Sequence, residues 1–553
     1  MLAAIVYVRS AVEPSQPIAW SYQVLTLCLL AAVIAGRALL GFEPKDAVSA
    51  EPPSLPRWAW LPVLLAASLP YLSTLRVGFL SDDYGLLSVA RSLSSPLQSA
   101  AHSEAFVAFH RPFAVFVWWL GTKLWAGSPV GYHALSLALH SLNAVLVYLL
   151  ARRLITSTYA GLMAGLLFAL HPIHVETVTW LAASTDLLCT AFGLSSLLLL
   201  ERSFSSPSRA GQSAFLASAL LAFLLALLSK EAALALPGVV LVRLALLNSK
   251  SPARRPLTLV GAYAAILLAY GLWRVLTIGG LGGYALPLTF WNTIFPSAPL
   301  LMLGDFLFPV NRSLFLAALP LWSLWIAIAI MALGAFWWAR GTSLIPGRRL
   351  WLWLGFLVLL AVPTWIFLSH QSSSTEWNRF AYLPTVGLAW LFGDLCAARG
   401  PRRSAPVAAA ILIIAAALTI WTITPWRQAG RMSSRAVAAG ADLVRELSHD
   451  GTPSTLYVTA LPSSWYGAQV LAYSYPQALS LAVGRPVPVR MVTTTPGAGG
   501  IYPDVMAHWK LKPGEYFVSF DPHTGAMRVL RSGDRASPLD VTPGTPDNRT
   551  TQP

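Results

Sequence analysis

Eleven long apolar segments, separated by short polar loops, are the feature of this sequence that most constrains its fold. Each is close to the roughly 20 residues that a helix needs to cross a hydrocarbon core of about 30 Å, although 158–172 is short and 185–201 is marginal. The predicted spans are 57–76, 131–151, 158–172, 185–201, 213–229, 232–248, 257–278, 316–339, 350–369, 380–397 and 404–424. Because 56% of the residues are hydrophobic and only 11% are charged, the sequence predicts a polytopic all-α membrane protein.

The formal net charge of +15 is spread over alternate ends of these segments. Clustered basic residues mark five successive loops, and the positive-inside rule places those loops in the cytoplasm. The segments between them then face outside, and a nucleic-acid partner is not expected, because no basic face is concentrated on a soluble domain. The five loops contain Arg152 and Arg153; Arg202 and Arg209; Lys250, Arg254 and Arg255; Arg340, Arg348 and Arg349; and Arg399, Arg402 and Arg403.

The segment 1–56 precedes the predicted membrane module 57–424 and contains one more apolar stretch, 22–40. This stretch carries Arg37 and lacks both a small-residue cleavage site and a basic region immediately before it. It is therefore predicted to be a helix rather than a removed signal peptide. With it, the number of transmembrane helices would be about 11–12.

The composition changes beyond residue 424 to that of a small soluble domain. Stretches 455–461, 487–493 and 515–519 are typical of strands, and a turn signal follows the last of them. We expect a small external α/β domain at 425–536. The tail 537–553 is rich in Pro, Thr and Asp and is predicted to be disordered.

Two adjacent carboxylates, Asp82 and Asp83, lie about five residues beyond the apolar stretch 58–75. An ionisable pair at a membrane surface is a functional-site hypothesis. The alternative is a turn, or the N-cap of a helix over 86–93, because Asp is favoured at both.

Most other polar residues of the predicted spans fall on the same external side. Two apolar, Trp-containing stretches, 112–125 and 291–310, begin and end outside and are predicted to be interfacial helices. Asn311-Arg-Ser313 and Asn548-Arg-Thr550 match the glycosylation acceptor pattern, which also arises by chance.

The order of these pieces resembles the GT-C superfamily of polyprenyl-phosphate-sugar-dependent glycosyltransferases, over roughly residues 57 to 430. Within it, the chain is similar to the membrane module of the transmembrane and tetratricopeptide-repeat O-mannosyltransferases. Two features depart from that family: no repeat with a period near 34 residues follows the last span, and Asn378 stands where the family has Glu before Arg379. The motifs that carry the resemblance are Arg111-Pro112, Tyr132-His133 with His140 and Asn143, His171-Pro-Ile-His174-Val-Glu176 with Trp180 and Asp186, Ser229-Lys230-Glu231, and Arg379-Phe-Ala-Tyr382-Leu-Pro384-Thr-Val-Gly387.

The resemblance implies transfer of a sugar from a polyprenyl-phosphate-linked donor to an acceptor hydroxyl. Such a reaction needs a base, and Asp82 or Asp83 would serve, with the other carboxylate as its orienting partner. One base acting in a direct displacement inverts the anomeric configuration. The alternative role for the pair is to hold a divalent cation; otherwise no cofactor is required and no metal site is predicted.

Three cations are candidates for binding the donor phosphate: Arg379, Lys230 and Arg274. Fixed cations stabilise the negative charge that develops on the leaving phosphate, and arginine does so with two parallel hydrogen bonds. Arg379 is the first candidate because it lies at the external end of a predicted span beside Tyr382. The alternative for all three is an interfacial cation that only snorkels towards water.

The acceptor side of the site is predicted to involve mainly histidines and one carboxylate. His171, His174 and Glu176 could suggest zinc, but Pro172 interrupts the helix on which such ligands would converge, so a hydrogen-bonded hinge is favoured. His133 and His140 are predicted to pack or hydrogen-bond between helices. The candidate acceptor or site-shaping residues are His110, Arg111, His133, His171, His174, Glu176 and Tyr382.

Two other classes of function stay open at this point. A transporter or flippase would place its ionisable groups near mid-membrane, whereas these gather at one face, and a polysaccharide ligase would lack the early Asp-Asp loop. The expected partners are the lipid-linked donor, a protein, glycan or lipid acceptor, and membrane lipid. Composition favours a bacterial inner membrane, with the site and the C-terminal domain in the periplasm.

Overall fold

A computed structural model describes most of the membrane module and of the C-terminal domain. The predicted segments 1–56 and 537–553, most of 291–310, and nearly all of the span 316–339 lie outside the described residues. The structure describes 58–100, 109–247, 254–279, 347–362, 378–448, 455–459, 461–471, 474–492, 511–522 and 524–530, together with positions 306, 309–311, 314 and 318.

The described part of the membrane module is helical. Short 3₁₀ turns connect several helices, at Leu69–Arg76, Pro172–His174, Leu181–Ala183, Glu231–Ala235 and Asn378–Ala381. The helices are α1 (Leu61–Ser68), α2 (Asp82–Ser92), α3 (Pro112–Trp125), α4 (Pro129–Ile155), α5 (Thr158–Leu170), α6 (Val175–Thr179), α7 (Ser184–Ser205), α8 (Arg209–Ser229), α9 (Leu236–Leu247), α10 (Arg254–Ile278), α11 (Gly347–Ala361), α12 (Thr385–Arg399) and α13 (Pro401–Leu447).

Among the described residues, five helices are long and apolar enough to cross a membrane, or six if the bent pair α5 and α6 forms one span. The bend measures 49° and falls at Pro172, which explains why the predicted span 158–172 looked short: the apolar path continues past the proline to Thr179. Other predicted spans appear as shorter apolar helices, among them Leu61–Arg76 and Arg349–Ala361. The predicted fold class, a polytopic helical membrane protein with a small C-terminal sheet, is confirmed.

Close helix contacts in the module depend on small residues. A Cβ at Gly393 of α12 would collide with the backbone of Ala160 in α5, and a Cβ at Gly165 would press on Val63 of α1. Small residues allow membrane helices to approach in this way. Trp390 completes the α12 contact by donating its indole N–H to the carbonyl of Val147 at 3.1 Å. These contacts fix the helices whose ends carry the candidate site.

Helix α13 is 47 residues long, about 70 Å at 1.5 Å per residue, and it continues beyond the apolar part of its sequence. The predicted boundary between 57–424 and 425–536 falls inside it. Pro425 does not end the helix. One element therefore begins in the membrane module and reaches the C-terminal domain.

The C-terminal domain has a four-stranded sheet in the order β4-β1-β5-β6, where β1 (Thr455–Thr459) is parallel to β4 (Val489–Met491) and β5 (Glu515–Phe520). Strand β6 (Met527–Val529) pairs antiparallel with β5 across the turn predicted at 521–525. A separate hairpin joins β2 (Ser464–Trp465) to β3 (Ala468–Gln469), and helix α14 (Tyr475–Val483) precedes β4. The predicted strands occur where the sequence placed them.

Candidate functional site

Asp82 and Asp83 occupy the first turn of α2, which begins at Asp82 itself rather than at the predicted residue 86. Their environments differ. Asp83 is completely buried, and its two carboxylate oxygens accept backbone N–H groups from Leu80 at 2.8 Å and Ala182 at 2.6 Å. Asp83 thus connects the start of α2 to the turn before α7.

Asp82 is partly exposed, and the charge of Arg379 acts on its carboxylate. Its only described hydrogen bond is a long one, 3.4 Å, from the hydroxyl of Ser81. Burial raises the pKa of Asp82 above its usual value, while the positive charge of Arg379 and the Ser81 hydroxyl act in the opposite direction. A carboxylate with a raised pKa and one exposed face is suited to accept a proton.

Arg379 is held by the carboxylate of Glu176. Its backbone N–H donates to Oε2 at 2.8 Å, and its Nη1 donates to Oε1 at 2.6 Å. The guanidinium also lies over the rings of Trp180, at 4.8 Å, and Phe380, at 4.6 Å. Glu176, predicted on the acceptor side, therefore orients Arg379, and this pairing fixes the cation whose charge acts on Asp82.

Lys230 is paired with Asp186, whose Oδ2 lies 2.5 Å from Nζ. Both side chains are about 5% exposed, and Nζ lies 4.7 Å from the centre of the Phe380 ring that Arg379 also contacts. The charges of Arg111 and Arg379 act on Lys230 as well. The predicted cations are therefore neighbours in one site.

Glu231 is shared by two arginines. Arg111 donates from Nε and Nη2 to Oε2 at 3.0 and 2.9 Å, and Arg274 donates from Nη1 to Oε1 at 2.7 Å. Burial acts to raise the pKa of Glu231, but the two guanidinium charges lower it to about 2. The two arginines therefore share one ionised carboxylate.

His110 lies beside these three side chains and has an unusual environment. The side chain is fully buried, neither ring nitrogen has a hydrogen-bond partner among the described residues, and the ring meets Trp273 edge to face at 4.8 Å. Burial lowers the pKa of His110, and the charge of Arg274 acts in the same direction. Both effects disfavour the protonated imidazole.

The other histidines form hydrogen bonds between helices, as predicted. His133 bonds the carbonyl of Val77 at 2.9 Å, and His174 bonds the hydroxyl of Thr385 at 2.6 Å and the carbonyl of Phe168 at 2.8 Å. The remaining bonds join His171 to the carbonyl of Phe306 at 3.2 Å, His140 to the hydroxyl of Tyr382 at 2.8 Å, and Asn143 to that same hydroxyl at 3.2 Å. Tyr382 is thus buried in this network of hydrogen bonds.

The grouping of possible metal ligands can be described for part of the chain. Within the described ranges, no group of three or more His, Cys, Asp or Glu side chains is arranged to hold a metal ion. At the two adjacent aspartates, both oxygens of Asp83 accept backbone N–H groups. A divalent cation at Asp82 and Asp83 stays a prediction, and so does the expectation that no cofactor is required.

The backbone conformation directly before Asp82, and the contacts that hold it, could not be predicted from the sequence. Ser81 has a φ of 39°, which is unfavourable for a residue other than glycine, and its N–H donates to the carbonyl of Val470 at 2.8 Å. Ser433 of α13 donates to the carbonyl of Phe79 at 2.8 Å. These contacts use backbone atoms and residues far apart in sequence, so no local signal marks them.

Comparison with known proteins supports the resemblance that the motifs predicted. Residues 109–273 match the family model of the dolichyl-phosphate-mannose-protein mannosyltransferases. The chain is 35% identical over 128 residues to a protein O-mannosyl-transferase of Drosophila melanogaster, Tmtc1, covering 21% of this chain and 15% of that protein. It is 29% identical over 144 residues to the human protein O-mannosyl-transferase TMTC3, covering 24% and 16%. The chain thus spans a small part of the relatives that it matches.

Two solved structures are also similar. ArnT from Cupriavidus metallidurans matches with a TM-score of 0.41 and 17% identity, covering 84% of this chain and 93% of that one. The archaeal oligosaccharyltransferase AglB from Archaeoglobus fulgidus matches with a TM-score of 0.46 and 14% identity, covering 88% and 75%.

The family and sequence matches make part of this chain similar to protein mannosyltransferases, as the motifs predicted. The family match spans residues 109–273. The matched region includes Arg111, Glu176 and Lys230, whereas Asp82 and Arg379 lie outside it.

Proposed function

We propose that this protein transfers a sugar, with inversion, from a polyprenyl-phosphate-linked donor to an acceptor hydroxyl at the external face of the membrane. The observation that carries the proposal is the partly exposed carboxylate of Asp82 within the field of Arg379, beside a cluster of paired cations. A base and fixed positive charge are the two requirements of this transfer. Bacterial inner-membrane location and a periplasmic site belong to the same proposal.

In this mechanism Asp82 takes the proton of the acceptor hydroxyl while the hydroxyl oxygen attacks the anomeric carbon. Asp83 does not act as a second nucleophile, because both of its oxygens accept backbone N–H groups and its side chain is fully buried. A single base without a carboxylate nucleophile gives inversion. The acceptor is a protein, glycan or lipid hydroxyl.

The donor phosphate lies at the cations in this proposal. Arg379 and Lys230 are each neutralised by one carboxylate, Glu176 and Asp186. Arg111 and Arg274 share the single carboxylate of Glu231. We assign the phosphate to the side of the site between these two arginines and Arg379, where its growing negative charge is stabilised as the glycosidic bond breaks. In this assignment the imidazole of His110 lies beside the phosphate.

The proposal is tested by transfer from radiolabelled polyprenyl-phosphate hexoses, with the purified protein in lipid nanodiscs and membrane extracts as acceptor. The anomeric configuration of the product is then determined by NMR. We expect labelled product of inverted configuration. A retained configuration would refute the single-base mechanism, and the absence of transfer from every donor in the panel would refute the transferase itself.

A further inference from the structure

We infer that the C-terminal domain is a positioning element of the catalytic centre: the β2–β3 hairpin and Val470 hold the backbone of Ser81 and thereby aim Asp82. This inference rests on the proposed function only for the role of Asp82. The contact between the hairpin and the start of α2 exists whatever the reaction is.

The argument starts from Ser81, the residue directly before Asp82. Its φ of 39° and ψ of −118° are unfavourable for a residue with a Cβ, and such a conformation persists only where the surroundings over-determine it. Ser81 is 2% exposed, and its N–H is bonded to the carbonyl of Val470 at 2.8 Å. The C-terminal domain therefore supplies the acceptor for the strained peptide group.

The position of Val470 is determined by the hairpin that precedes it. Tyr466 and Gly467 form the two-residue turn, with φ values of 47° and 82°, as a type I′ turn requires. The N–H of Val470 donates to the carbonyl of Ser463 at 3.0 Å, which continues the hairpin pairing. Val470 is fully buried. A change in the turn is thus transmitted to the carbonyl that holds Ser81.

The hairpin is itself anchored to the rest of the chain at two points. Asn311 donates from Nδ2 to the carbonyl of Tyr466 at 2.8 Å, and Trp465 donates its indole N–H to Gln428 of α13 at 2.7 Å. Asn311 is 1% exposed, so the amide of the predicted glycosylation motif is engaged in this contact. The hairpin is therefore fixed relative to both the membrane module and α13.

Helix α13 supports the same loop from another direction. Besides the bond from Ser433 to the carbonyl of Phe79, Gly430 packs directly on Val77 and Gly78, where an added Cβ would lie 3.0 Å from Val77 Cγ1 and 3.1 Å from the Gly78 nitrogen. The segment 77–81 is therefore enclosed by the C-terminal domain, by α13 and by the membrane module. Its one strained residue stands immediately before the candidate base.

The test compares Gly467→Val with Gly484→Val. Both glycines lie in the C-terminal domain at positive φ, 82° and 79°, where a β-branched residue is strongly disfavoured. Gly484 ends α14 rather than lying in the hairpin, and a Cβ there would meet nothing within 4 Å. The two variants thus introduce a similar backbone strain, but only the first lies in the hairpin that holds Ser81.

Two measurements are made on the full-length protein: hydrogen exchange of the amides from 79 to 84, and transfer kinetics. For Gly467→Val we expect exchange at these amides to rise at least tenfold and kcat to fall about tenfold, with the donor KM within about twofold of the parent value. Gly484→Val should leave both quantities unchanged. Unchanged exchange in Gly467→Val, or equal effects of the two variants, would overturn the inference.

A milder variant covers the case in which Gly467→Val does not fold. Asn311→Asp keeps the oxygen that accepts the N–H of Leu314 at 3.0 Å but loses the donor to Tyr466. We expect the same pattern with smaller changes, and unaltered exchange at 79–84 would again refute the inference. Because hydrogen exchange does not require transfer, failure of the proposed function would be distinguished from failure of this inference.

Discussion

Arg379 binds Glu176 through both its backbone and its side chain, with N···O distances of 2.8 and 2.6 Å. The carboxylate is completely buried, so the pair is not a surface contact. The bond to the backbone N–H fixes where the chain enters the turn before α12. The bond to the guanidinium fixes the direction of the Arg379 side chain. Since the charge of Arg379 acts on Asp82, this pair connects the α5–α6 bend to the candidate base.

The two aspartates are expected to differ in function, although they are adjacent. Asp82→Asn should lower kcat at least 100-fold with little change in melting temperature, because the carboxamide fills nearly the same volume but cannot take a proton. Asp83→Asn should instead destabilise the fold by about 1–3 kcal/mol, because one buried backbone N–H loses its acceptor. Single-turnover transfer and thermal unfolding measure both effects. Equal loss of activity with unchanged stability in both variants would contradict this division.

Arg379→Ala should slow transfer about 10- to 100-fold, and Arg379→Lys should recover only part of this loss. Lysine restores the charge and keeps the backbone bond to Glu176, but it lacks the planar guanidinium that donates to Oε1. A circular-dichroism melt must accompany the kinetics, because the alanine variant leaves Glu176 buried without this partner. If Arg379→Lys were as slow as Arg379→Ala at equal stability, charge would not be the quantity that matters.

Arg274→Lys should weaken binding of polyprenyl phosphate several-fold, because Arg274 is one of the two arginines assigned to the phosphate and lysine lacks the guanidinium that binds an anion with two parallel hydrogen bonds. Arg243→Lys is the matched control, since Arg243 also forms a buried pair with a carboxylate, Glu201, on helices of the same module. Its effect on lipid binding should be within twofold. Native mass spectrometry or microscale thermophoresis with the lipid in detergent measures the difference.

When the pH is lowered, the rate of transfer should fall at a higher pH than it would if the base had the ordinary pKa of an aspartate. Burial raises the pKa of Asp82, and only the ionised form is a base, so activity is lost as the pH falls through this raised pKa. Arg379→Gln removes a charge that lowers this pKa and should move the acidic limb to still higher pH. An acidic limb that Arg379→Gln leaves in place would argue against Asp82 as the base.

The free energy of unfolding depends on pH in the opposite sense. Because the raised pKa makes the folded state bind more protons than the unfolded state, the contribution of Asp82 to stability falls as the pH rises through this pKa.

The sequence predicted the module and the strands because each depends on local composition. Apolar length and basic loops mark the helices, and alternating residues mark the strands around Tyr457 and Val518. The difference between Asp82 and Asp83 could not be predicted, because it depends on the N–H of Ala182, 99 residues away. The continuity of α13 was hidden by Pro425 and by the change from apolar to polar residues. Val470 contributes only a backbone carbonyl, which no side-chain motif records.

The pairing of the cations was likewise beyond sequence reasoning. Lys230 and Arg274 were candidates for the same phosphate, but sequence does not show that Asp186 neutralises one while Arg111 shares the partner of the other. Such pairs form between helix ends that only the tertiary fold brings together.

The central claim is most directly tested by measuring release of polyprenyl phosphate in a single turnover. Parent protein, Asp82→Asn and a Ser480→Ala control are mixed with excess acceptor extract and a limiting polyprenyl-phosphate hexose. In the described part of the chain, the hydroxyl of Ser480 bonds only within the C-terminal domain: it donates to the carbonyl of Pro476 and accepts the N–H of Val487. The account predicts stoichiometric release by the parent and the control, and at least 100-fold slower release by Asp82→Asn with unchanged donor binding. Release by Asp82→Asn at the parent rate would contradict it.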